Sequence, residues 1–317
     1  MAEKEKKSKK KCTYIGGQAV LEGVMMMGKT AMATAVRDPD GEIQVEAKRL
    51  KRGKHLSRAC KIPFVRGIIN LVLSLVRGTK ILMRSAAVYG DSEEEAGRIQ
   101  KWLAEKFKVN LMDVIAVISA CLGVILAIGI FVFLPRFVVG LIPRIGEDHW
   151  AYYVLLGVFK LIIFIAYLAL VLLLKDIRRL YMYHGAEHKT INAYEYGVEL
   201  TPEKVAECSR LHDRCGTSFL FIVLFINIVI ISAANWAVFT YVPVIKDVQN
   251  GVLRFLINIA IELVLLPIIA GFSYEILKFL AKFDNKFINI FKAPGKLIQK
   301  TLTTREPDLA IIEVPIP

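Results

Sequence analysis

The chain has 317 residues, is 55% hydrophobic and 22% charged, and carries a formal net charge of +13. A mean hydropathy of +0.48 is too apolar for an ordinary soluble domain. Five cysteines (Cys12, Cys60, Cys121, Cys208 and Cys215) are an odd number, which argues against a disulfide framework.

Met1–Cys12 is a lysine-rich, solvated tail that is not followed by the apolar h-region of a signal sequence, so no cleavable signal peptide is expected. Tyr14–Gly28 follows, an apolar run with glycines at 16, 17, 23 and 28 that reads as a strand with glycine bulges. Glu22 is its one acid. It is either an incidental strand residue or a ligand or base for a nearby site. Thr30–Arg37 and Glu42–Arg49 flank Asp38-Pro39-Asp40-Gly41, the turn chemistry of a β-hairpin. Residues 1–61 therefore form a basic tail and a small β-unit.

Residues 62–112 carry two amphipathic helices. In Pro63–Tyr89 the cations Arg66, Arg77, Lys80 and Arg84 form one stripe, which fits a helix lying in the membrane interface. Asp91–Lys108 is a polar, acid-led helix. Four blocks are then long and apolar enough to cross a bilayer: Val114–Leu134, Ala151–Leu174, Thr217–Ile245 and Val252–Ser273. Residues 113–174 hold the first two spans and 217–273 the last two. Between them, residues 175–216 form a helical hairpin whose second arm starts at Thr201-Pro202. Residues 274–317 are a tail ending in the strand-like Ala310–Val314, a possible partner for the β-unit.

Lys and Arg number fifteen in residues 1–61, seven in 175–216 and seven in 274–317, against two in Pro135–Trp150 and one in Tyr241–Gly251. The positive-inside rule then places both termini and the hairpin in the cytoplasm. The basic excess marks topology and contact with anionic lipid headgroups, not nucleic acid. The expected fold is mainly α: a polytopic membrane protein of about four transmembrane helices, with a cytoplasmic helical hairpin and a small N-terminal cytoplasmic β-unit.

The hairpin holds His184-Gly185-Ala186-Glu187-His188, an H-x-x-E-H pattern. On a helix His184, Glu187 and His188 share a face, so both imidazoles reach one metal with the carboxylate beside it. Either His212 or Cys215, returned by the second arm, completes the ligand set. Imidazole and thiolate suit zinc, and three protein ligands leave one position open for water. Glu187 is then the general base, and the chain a metal-dependent, zinc-type hydrolase acting on an unidentified substrate. Glu262 in the fourth span is the other suspect carboxylate. It is read as pairing with Asn227 or Asn235. A transporter using Glu262, Arg254, Asn227, Asn235 and Asn258 is the competing reading, and a scaffold with a closed structural metal site the third. Five histidines are too few for the histidine boxes of membrane di-iron enzymes.

Four segments, Gly16–Met26, His184–Lys189, His212–Phe219 and Leu302–Pro307, resemble the bacterial YqhQ family in order along nearly the whole chain. That family is described as a predicted metal-dependent enzyme of unknown function. The resemblance implies that Glu22, His184, Glu187, His188, His212 and Cys215 belong to one site, and it names no substrate.

Overall fold

The computed structural model describes residues 13, 15–50, 59–89, 111–142, 150–213, 215–246, 248, 250–280, 283 and 285–316. The basic tail, the expected helix at Asp91–Lys108 and part of the Pro135–Trp150 loop lie outside them. The chain divides into two units. Unit 1 comprises residues 1–90, 170–222 and 271–317, and unit 2 comprises 91–169 and 223–270.

Unit 1 opens with an antiparallel meander, β1 (Gly16–Val20), β2 (Gly23–Met27), β3 (Ala31–Arg37) and β4 (Ile43–Arg49), ordered β1-β2-β3-β4. The expected single bulged strand is therefore two strands, because Val20 pairs with Gly23 and the chain reverses at Leu21 and Glu22. Glu22 accepts a φ of 49°, a conformation that costs a non-glycine residue on the order of 1–3 kcal/mol. The β3–β4 turn forms as expected: the Glu42 N–H donates to the Asp38 side chain, and Gly41 takes a φ of 88°.

Side chains alternate across a strand, so the sheet has two distinct faces. Val20, Met25 and Val36 pack on Ile81 of α1 (Val65–Tyr89). Val24 and Ala35, on the opposite face, pack on Tyr183, Ala186 and Ala193 of α5 (Lys175–Tyr196) and on Ile311 and Ile312. Along β1, Gly17 and Ala19 thus face α5 while Gln18 and Val20 face α1.

Unit 2 holds α2 (Leu111–Ile128), a π-helical turn at Gly129–Phe133, α3 (Leu134–Gly140) and most of α4 (Trp150–Val171). Past the short α6 (Pro202–Ala206), the greater part of α7 (Gly216–Tyr241) belongs to it, with α8 (Pro243–Lys246) and the first two-thirds of α9 (Gly251–Leu280). Among the described residues, four helices are long and apolar enough to cross a membrane: Val117–Gly140, Trp150–Val171, Phe221–Tyr241 and Gly251–Leu280. They are compatible with a multi-pass membrane protein and match the four expected blocks. The first runs further than expected, which puts Arg136 inside it and not in a loop.

The tail returns to unit 1 as α10 (Lys286–Ile298), a π-helical turn at Gln299–Thr303, an extended strap, and α11 (Leu309–Glu313). Ala310–Val314 was expected as a strand; it forms one helical turn because the Asp308 carboxylate accepts the Ile311 N–H and caps it. The docking on the β-unit survives in another form: Arg37 of β3 donates to the Ala310 carbonyl and pairs with Glu313 at 2.9 Å.

Candidate metal centre

Helix α5 is polar on average, yet Gly185 through Ala193 are all buried. A buried polar helix persists only if its side chains find partners, and here those partners are backbone carbonyls. Lys189 Nζ donates to the carbonyls of Ala206 (2.5 Å) and Cys208 (2.9 Å). Asn192 Nδ2 donates to those of Ser209 (2.6 Å) and Leu211 (3.0 Å). His188 Nδ1 lies 2.7 Å from the Arg210 carbonyl. These contacts pin residues 206–211 along α5 and return the chain to Cys215 at the foot of α7.

The strap at Thr303–Pro307 crosses the same face of α5 one turn earlier, and Arg210 donates to the Thr304 carbonyl at 3.2 Å. His184 Nδ1 lies 2.7 Å from the Thr303 carbonyl, and the Arg305 N–H donates to the Tyr181 carbonyl at 2.9 Å. A Cβ at Gly185 would collide with the Arg305 carbonyl oxygen, so glycine is what admits the strap. Glu306 pairs with Lys189 at 2.6 Å. The Leu302–Pro307 segment is a brace that supplies a carbonyl to His184.

His184, His188 and Cys215 each present one ligand atom within 4.8 Å of the others. A carbonyl can only accept, so both histidines carry a proton on Nδ1 and keep the Nε2 lone pair for the cluster. His184 Nε2 stands 3.3 Å from Cys215 Sγ, and the two imidazole rings lie 4.4 Å apart. Of the two alternatives for a third ligand, the structure brings in Cys215. His212 sits next door, its ring 5.7 Å from that of His188 and its Nε2 3.6 Å from Glu195. Its backbone is clamped by Gln299, which accepts from His212 N at 3.1 Å and donates to its carbonyl at 3.0 Å. Glu195 in turn accepts from Thr13 N and Oγ1 at 3.1 and 2.7 Å.

Glu187 is 4% exposed and one of its oxygens, Oε2, is buried without a hydrogen-bond partner among the described residues. The other faces β1, where a Cβ at Gly17 would come within 2.6 Å of it. Burial raises the Glu187 carboxyl to about 7, with His184 and the Gly17 N–H pulling the other way. Glu22, the second sequence candidate for catalysis, is placed elsewhere. Both its oxygens are engaged, by the Arg179 guanidinium and by the Tyr183 hydroxyl at 3.0 Å. That pairing holds its strained turn against α5.

Glu262 pairs with neither asparagine. Its Oε1 takes Lys160 at 2.8 Å and Arg136 at 3.0 Å, a cluster wholly within unit 2. Sequence reasoning passed over Lys189, Asn192 and Gln299. Their one visible signal was an unusual density of polar residues on a helix next to an apolar span.

Residues 62–317 match the family model described as a protein of unknown function, DUF1385. The chain is 32% identical over 302 residues to the uncharacterized protein YqhQ of Bacillus subtilis (strain 168), covering 95% of this chain and 89% of that protein. No solved structure matches. The chain belongs to the DUF1385, YqhQ-like family.

Proposed function

We propose that this member of the DUF1385 family is a membrane-bound, zinc-type hydrolase that binds its metal through His184, His188 and Cys215. The observation that carries the reading is the convergence of one ring nitrogen each from His184 and His188 and the Cys215 sulfur within 4.8 Å, with each histidine's Nδ1 next to a backbone carbonyl. That donor set suits zinc, and the carbonyl partners are the usual means of fixing ligand tautomers. Three protein ligands leave a position for water. A zinc ion held there supplies Lewis-acid chemistry and acidifies a bound water.

The chain's own residues do the remainder. Glu187, one helical position from His188, has an oxygen without a hydrogen-bond partner among the described residues and a carboxyl raised by burial to about 7, which suits a group that takes and returns a proton. Gly17 leaves room for that carboxylate and donates its N–H to it. The His212 ring and the Glu195 carboxylate lie beside the cluster, 3.6 Å apart. By the distribution of Lys and Arg, the site faces the cytoplasm of a bacterial inner membrane, with both termini on the same side and the basic segments on anionic headgroups.

Burial favours a second reading. His188 and Cys215 are buried and His184 is half-buried, as in a closed structural zinc site. Glu187→Gln separates the two. A hydrolase variant keeps its zinc and loses turnover of peptide or lipid-linked ester substrates, whereas under the structural reading no such turnover exists in the parent and the variant behaves like it.

A further inference from the structure

A groove in unit 1, between the start of α1 and the last turns of α9, has no part in the hydrolase reading. The uncharged run Leu263–Tyr274 of α9 ends at Glu275, and Lys278 follows one turn on. Residues 272–279 are thus the turns where a membrane-crossing α9 leaves the hydrocarbon for the headgroup layer. A few residues later α10 continues at the same level. It exposes Phe287, Ile290, Phe291 and Leu297 along one stripe, with Lys286 and Lys296 beside it, the pattern of a helix lying in a membrane interface.

The first turn of α1 closes one side of the groove. Two glycines let the helices touch. A Cβ on Gly67 would lie 2.9 Å from the Gly271 Cα, and one on Gly271 would lie 3.0 Å from the Phe64 carbonyl oxygen. Phe64 takes a φ of 63°, in the left-handed region that a bulky residue rarely adopts. Glu275 holds that turn in place. It accepts the Phe64 N–H at 3.3 Å and the Arg66 Nε at 2.6 Å, with a second bond from Arg66 Nη2. The Phe64 ring then stands 5.6 Å from that of Phe272.

The groove has a volume of about 440 Å³, within the range of small-molecule sites. Phe64, Phe272, Ile276 and Phe279 form its apolar wall, and all three rings are exposed. Arg66, Glu275 and Lys278 form its polar edge. Among the described residues Glu275 takes only two of the five N–H donors of Arg66, and Lys278 is exposed. Strained backbone of the Phe64 kind clusters at ligand clamps. An apolar wall edged by a guanidinium and an ammonium, at headgroup level, suits an alkyl chain joined to an anion.

We infer that this groove binds one anionic phospholipid of the surrounding leaflet. An acyl chain lies against the three phenylalanines and Ile276, and the phosphate takes hydrogen bonds from Arg66 and Lys278. The lipid bridges α1 and α9 and so fastens the first helix of unit 1 to the end of the membrane span. The site is independent of the proposed metal centre.

Phosphatidylglycerol is the probe. Purified full-length protein, stripped of lipid in detergent, is melted while the lipid is titrated into the micelles. The parent should show a saturable rise in melting temperature, as a ligand of the folded state requires. Lys278→Gln should raise the half-saturating concentration on the order of tenfold, and so should replacing the probe by phosphatidylcholine, which has no net charge. Ile276→Trp fills the groove and should abolish the saturable response. Lys300→Gln, at an exposed lysine outside the groove, should leave it unchanged. If Ile276→Trp does not fold, the comparison of the two lysine variants decides alone. No saturable rise in the parent, a parent-like response in folded Ile276→Trp, or no difference between the two lysine variants would overturn the inference. So would equal half-saturation by the two lipids, or the same rise with inorganic phosphate alone.

Discussion

Replacing Glu187 by glutamine isolates the cost of keeping a carboxyl in the metal-free site. Burial lifts that carboxyl from an ordinary 4.5 to about 7. Between those values the unfolded chain has released its proton and the folded chain still holds it. Stability therefore falls as pH rises through this window and is level above it. At about 1.4 kcal/mol per pH unit the full loss is about 3 kcal/mol. Glutamine keeps the shape and can still accept the Gly17 N–H, yet it has no proton to lose. Metal-free parent and Glu187→Gln should melt within a degree or so of each other at pH 4.5, and the variant should melt several degrees higher at pH 8. A difference between the two proteins that stays constant with pH would refute the claim that the carboxyl is held buried and protonated in the apo fold.

Three further outcomes follow from the geometry around α5. Gly185→Ala must push the Arg305 carbonyl away, so it should cost about 1–3 kcal/mol and weaken zinc retention together, read by melting and by metal titration. Lys189→Met leaves the carbonyls of Ala206 and Cys208 without their donor and should destabilise by about 2–4 kcal/mol. Glu306→Gln should cost under about 1 kcal/mol, since that carboxylate is exposed and Lys189 keeps both carbonyls; equal effects in a melt would refute the assignment. Burial alone would raise the Asp213 carboxyl, but Lys296 and Lys292 outweigh it and hold Asp213 below its ordinary 3.8. Its contribution is therefore present above 3.8 and lost as pH falls through the lower folded value, and the Asp213→Asn deficit in melting temperature should vanish along the same acid limb.

The sequence disclosed the parts of this fold that depend on short-range periodicity. Four apolar blocks became four helices, and Asp38-Pro39-Asp40-Gly41 became the hairpin turn. His184 and His188 stand four apart, and helix geometry alone puts them on one face. What it did not disclose depends on backbone atoms brought from far along the chain. The partners of His188, Lys189 and Asn192 are carbonyls some twenty residues away, and that of His184 is a carbonyl more than a hundred residues away. No residue type announces a carbonyl acceptor, so the Leu302–Pro307 segment stood out as a motif without a chemistry. Glu22 shows the same limit: an isolated acid in an apolar run reveals nothing of its guanidinium partner, 157 residues on. Lys160 and Arg136 were visible, but nothing local says that both point at Glu262.

The most direct test of the central claim is the metal content of the purified full-length protein, set beside that of a His184→Ala/His188→Ala double variant. The account predicts about one zinc per chain in the parent and none in the variant. A well-folded parent that holds no metal, even after incubation with zinc, would contradict it.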